Sequence, residues 1–195
     1  TRPATRSDPL AMDSANRPTP TDPALPVAAI IDRSGVKGEA DALLARVTEL
    51  QQRQGRTVRG LLMTYPEGRD SCACSMVLRD LHTQQTYLVS QPLGSGATGC
   101  RADTQGFARA SEVLRRAAGE APDLAISNRF GGLEAGGGGF RHELLELLSS
   151  DVPVLTAVGT RYLGAWADFT GGATVLPARA EAVHAWLSRT LTAPV

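Results

Sequence analysis

The residues best placed to do chemistry fall into two groups. The first lies in three glycine-bearing loops, at 32–38, 128–139 and 159–161, each directly after an apolar, strand-like run. In the first loop, DRSGVKG, backbone N–H groups around Ser34, Gly35 and Gly38 can turn toward an anion, and Lys37 can reach its outer oxygens. Lys37 is also the sole lysine of the chain. The full phosphate-binding pattern is G-x-x-x-x-G-K-[ST]. Here Lys37 precedes Gly38, and Glu39 stands where a magnesium-binding hydroxyl would be, so the loop is a degenerate version. The plain alternative is a strand-to-helix turn carrying a solvated lysine.

The second loop, NRFGGLEAGGGGF, opens with Asn128. Its amide can orient a ligand or donate to an oxyanion, but it cannot act as a general base. Glu134 is the nearest carboxylate, a candidate catalytic residue that could position water or bind a metal. Arg129 and Arg141 bracket the loop and can clamp an anion with two N–H groups each. The alternative for both is a surface ion pair, and it weighs more on Arg129. Gly131 and Gly132 allow a sharp turn off the strand. Residues 136–139 leave bare backbone, either the wall of a binding site or a flexible connection.

The second group is Cys72, Cys74 and Cys100, which flank a predicted β-hairpin. An antiparallel hairpin brings its two ends together, so three thiolates can meet and ligate zinc or an iron–sulfur cluster with one open position. The alternative is buried or redox-sensitive cysteines. No histidine lies near them in the predicted hairpin. Other catalytic patterns are absent: there is no G-x-S-x-G, no H-E-x-x-H, and no G-x-G-x-x-G after the first strand. Trp166 and Trp186 fall at helical positions and read as core anchors.

These loops need a scaffold, and the punctuation of the chain supplies one. The 195 residues are 42% hydrophobic with a formal net charge of zero, enough for a real core and without the basic stripe of a nucleic-acid binder. No membrane-spanning run or signal segment is visible, so the cytoplasm is the expected location. Residues 1–26 are proline-rich and lack apolar periodicity; they read as a disordered leader to one α/β domain at 27–195. Strands are expected at 27–31, 58–65, 124–127 and 154–158. Helices are expected at 39–53, 104–118, 140–149, 162–169 and 181–191. Residues 75–81 and 86–91 form the antiparallel hairpin, followed by a loop at 92–102. Strands alternating with long helices imply a mainly parallel sheet, whose ligands bind beyond the carboxyl ends of its strands.

Three stretches taken together resemble a bacterial family of unknown function found in molybdenum-transport gene neighbourhoods. They are the CAC pair with the later GC, NRFGGLEAGGGGFR, and VPVLTAVGTRYLGAWADFTGG. The resemblance covers about residues 27–177. That family is in turn similar to P-loop nucleoside-triphosphatases of the thermophilic type. The resemblance implies a three-layer P-loop-like fold with the hairpin inserted after the second strand. In those relatives the loop after the third parallel strand begins with an acidic residue and carries a glutamate several positions on. Asn128 and Glu134 match these places, and the change at Asn128 argues against hydrolysis. The combined expectation is a binder of a small anion, a nucleotide with magnesium or an oxyanion such as molybdate, acting as an accessory factor in molybdenum metabolism. Two alternatives stand beside it: a cysteine-ligated metal or iron–sulfur protein, and an active nucleoside triphosphatase.

Overall fold

In the computed structural model, residues 25–33, 38–64, 76–92 and 100–191 are described. Two strands show how the sheet is made. β1 (Val27–Asp32) and β8 (Val154–Gly159) pair in parallel over their full length, from Val27 opposite Val154 to Asp32 opposite Gly159. Both are short apolar runs without alternation, as expected of strands covered on both faces. Val27, Ala29, Val154 and Val158 enter one core, while Ala28, Ile30, Leu155 and Ala157 enter the other. The period of two thus feeds two cores on opposite faces of one sheet.

The parallel part continues with β2 (Val58–Thr64), β7 (Leu124–Ile126) and β9 (Thr174–Leu176), in the order β2-β7-β8-β1-β9. β3 (Val77–Asp80) and β4 (Thr86–Leu88) extend it antiparallel beyond β2. One face is covered by α1 (Glu39–Arg53) and α6 (Ala180–Thr190) through Leu43, Leu44, Val47, Val183, Trp186 and Leu187. The other is covered by α2 (Thr104–Glu120), α4 (Arg141–Ser149) and α5 (Leu163–Thr170) through Val113, Leu114, Leu144, Leu147 and Trp166. This is the three-layer α/β arrangement expected from the sequence, with the antiparallel insertion after the second strand.

Helix ends are set by local signals. Asp103 caps α2, its carboxylate accepting the Gln105 N–H at 3.1 Å. α1 begins after Gly38 at a φ of 79°. Several features depart from expectation. The run at 86–91 is not one strand: it breaks at Val89, a buried residue whose N–H donates to the Met76 carbonyl. Beyond the break, β5 (Ser90–Pro92) pairs antiparallel with β6 (Cys100–Ala102) in a separate ribbon, where a loop was expected through 102. β9 was not anticipated, because three residues carry too little alternation to read. The glycine-rich loop holds a one-turn helix, α3 (Gly132–Ala135), and a 3-10 turn (Thr160–Tyr162) precedes α5. Apart from Leu25 and Pro26, the expected leader lies outside the described residues.

Candidate functional site

The chain leaves β1 through α1 and crosses to β2 at the far side of the parallel strands, then returns through β7 and β8 to β1. Such a reversal opens a crevice at the carboxyl ends of the two strands that flank it. Here those strands are β1 and β8, ending side by side at Asp32 and Gly159. The loop after β7 runs along the same end of the sheet, with Phe130 bridging in parallel to Val158.

That loop is fixed on both sides of Arg129. On one side the Asn128 Oδ1 accepts the Met63 N–H at 2.7 Å, which also assigns the amide orientation and turns Nδ2 away from β2. On the other, Phe130 is fully buried, edge-on to Trp166 at 5.3 Å and stacked with Phe169 at 5.4 Å. Between these anchors Arg129 reaches across to β1 and α1. One guanidinium nitrogen donates to the Asp32 carboxylate; the other donates to both oxygens of Asp41, at 3.1 and 3.3 Å. Asp41 is buried in the first turn of α1, and Asp32 is nearly so. Burial pulls the affinity of Arg129 for its proton down, but Asp41 and Asp32 more than restore it, so the group stays cationic.

Glu134 is turned into its own loop. Its Oε2 accepts the Gly131 N–H at 2.9 Å and its Oε1 accepts the Phe140 N–H at 3.1 Å. The carboxylate is buried and joins the two ends of the glycine segment, in the manner of half a capping box. Arg141 donates to the Glu134 carbonyl at 3.1 Å and lays its guanidinium 4.5 Å over the Phe169 ring. It therefore braces the outer side of the loop against α5. Tyr162 closes the remaining side, its hydroxyl lying against Gly132.

Of the residues singled out from the sequence, the structure brings together Asn128, Arg129, Glu134 and Arg141 around one loop. Gly38 stands at the start of α1, the helix whose first turn bears Asp41. Ser34, Gly35 and Lys37 lie outside the described residues, as do Cys72 and Cys74. Cys100 is described only as the first residue of β6, its backbone opposite Pro92. Among the described residues no group of three or more His, Cys, Asp or Glu side chains is arranged to hold a metal. No helix among them is long and apolar enough to cross a membrane. Sequence reasoning missed Asp32 and Asp41. Asp41 gives only a faint signal, since acidic residues in a first helical turn are expected on dipole grounds alone, and Asp32 is one polar residue ending an apolar strand.

The strand order, the three layers and the position of the crevice define a P-loop-like α/β protein. The solution structure of a human cancer-related nucleoside triphosphatase has the same fold, with a TM-score of 0.59 at 15% identity over 83% of this chain and 94% of that one. The chain belongs to a protein family of unknown function (DUF2478), whose model matches residues 27–186. It is also 36% identical over 161 residues to the molybdenum import ATP-binding protein ModC 2 of Bradyrhizobium diazoefficiens. That match takes in 82% of this chain but 18% of the relative, so the chain spans less than a fifth of the length of the protein it matches.

Proposed function

We propose that this protein is a cytoplasmic accessory factor of molybdenum metabolism that binds a tetrahedral oxyanion, either molybdate or the phosphates of a nucleotide, without hydrolysing it. The observation that carries the reading is Arg129, a cation held at the mouth of the β1–β8 crevice where this fold seats its ligands. The identity to a molybdenum import ATP-binding protein supports the metabolic context. The start of α1 behind Gly38, with Ser34, Gly35 and Lys37 in the preceding loop, would supply further N–H groups and charge. The Asn128 Nδ2 group is free to donate to the same anion.

The use of the acidic groups supports binding without turnover. Asp32 and Asp41 are engaged by Arg129, and both oxygens of Glu134 accept backbone N–H groups. Asn128 cannot take a proton from water. A thermal-shift screen of molybdate, sulfate, ADP and ATP, each with and without magnesium, tests the reading. A ligand present at a hundredfold excess over its Kd stabilises the folded state by about 2.7 kcal/mol, which a melting curve resolves. No shift with any of these at millimolar concentration overturns the proposal. Magnesium-dependent phosphate release that is lost in Glu134→Gln overturns the absence of hydrolysis.

A further inference from the structure

The anion-binding end of a P-loop-like crevice is normally left open to its ligand, with helix N–H groups and cations facing outward. In this chain the one described cation that spans the crevice is already engaged. The Arg129 guanidinium is shared between Asp32, at the end of β1, and Asp41, in the first turn of α1. These residues are 97 and 88 positions away from it in sequence, on two elements that flank the crevice. Both acids also stand beside the helix terminus that would otherwise attract an anion.

An arriving oxyanion therefore meets two obstacles of the same origin. It must replace carboxylates as the partner of Arg129, and it must approach the two carboxylates that the arginine leaves behind. Arg129 can make this exchange, because about a third of its side chain is exposed and its planar fork suits a phosphate or molybdate as well as a carboxylate. The loop bearing it is otherwise immobilised by the Asn128 hydrogen bond and the buried Phe130. The exchange thus needs rotation of one side chain and no movement of the sheet.

We propose that Arg129, Asp32 and Asp41 form an autoinhibitory clasp, in which the two carboxylates compete with the incoming oxyanion for the Arg129 guanidinium and set the affinity of the crevice. The inference rests on the anion-binding reading above and adds how that binding is restrained.

Isothermal titration with sodium molybdate and, separately, with ADP tests the clasp in the full chain. Under the clasp, Asp41→Asn binds the preferred probe roughly tenfold or more tightly than wild type, since one charge-assisted competitor is removed. Arg129→Ala weakens the same probe by a comparable factor. The preferred probe also shifts the Arg129 Nε–H resonance of the wild-type protein, a readout independent of how well the variants fold. Wild-type binding that is unchanged or weakened in folded Asp41→Asn, with the Arg129 resonance unmoved, overturns the clasp and leaves anion binding standing. Absence of binding by wild type, Asp41→Asn and Asp32→Asn alike overturns both. Tighter binding of molybdate alone, or of ADP alone, supports the clasp and identifies which source of oxyanion it restrains.

Discussion

The carboxylate of Glu134 lies where a side chain on Gly139 would have to go. A Cβ built on Gly139 falls 2.1 Å from the Glu134 Oε1, and the backbone there has a φ of 60°. Glycine is thus required twice over, once by the left-handed backbone and once by the buried acid beside it. Gly139→Ala is expected to cost at least about 2 kcal/mol, combining the backbone penalty with the displaced carboxylate. Gly137→Ala is the control, because Gly137 also has a positive φ but nothing within 4 Å of a Cβ. Urea unfolding of both variants should show the smaller loss at Gly137. Equal losses would mean that Glu134 does not crowd Gly139.

Asn128 stands where the resemblance places an acidic residue, and its Oδ1 holds the Met63 N–H. Asn128→Leu leaves that donor without its acceptor at a site with little access to water. The expected loss is about 1 to 3 kcal/mol. Asn128→Asp keeps an acceptor in place and should remain closer to wild type. Chemical denaturation of the two proteins orders them. If the leucine variant is the more stable, the hydrogen bond is not what retains a polar residue here.

How much of this was legible beforehand follows from the range of each interaction. α1 was read to its observed ends because its apolar spacing and terminal glycines are local signals. The parallel strands β1, β2, β7 and β8 were read from short apolar runs. β9 and α3 were not, since three or four residues hold no period. Asn128, Arg129, Glu134 and Arg141 were picked out by type and by position after a strand. Their partners were not, because Asp32 and Asp41 lie about ninety residues from Arg129 and nothing local links them. The internal use of Glu134 was likewise hidden: a glutamate that caps its own loop and one that positions water look alike in sequence.

Arg141 was weighed as an anion clamp, and its guanidinium is laid over Phe169 while donating to the Glu134 carbonyl. Lysine carries the same charge but cannot stack as a plane. Arg141→Lys should therefore cost about 0.5 to 1 kcal/mol in thermal or urea unfolding. It should leave the affinity for molybdate or ADP within a factor of about two, the size of a secondary effect. A large loss of affinity with unchanged stability would move Arg141 from brace to ligand contact.

The hairpin is tied to α2 by Asp80, and that tie gives the fold a predictable response to acid. The Asp80 side chain is almost fully buried; it accepts the Thr83 hydroxyl at 2.7 Å, the His82 N–H at 2.8 Å and an Arg116 N–H at 2.6 Å. Burial alone would push its carboxyl up, but these donors outweigh it and hold the group below its ordinary value of 3.8. A carboxyl lowered on folding stabilises the native state fully above the ordinary value, and that contribution fades as pH falls through the lowered one. Asp80→Asn should thus be less stable than wild type by about 1.5 to 3 kcal/mol near neutral pH. The gap between the two should narrow as the pH is taken below about 4, where the wild-type carboxylate begins to protonate in the unfolded chain. Urea unfolding at a series of pH values measures it. A gap that stays constant or widens on acidification would show that the charge of Asp80 is not what secures the hairpin.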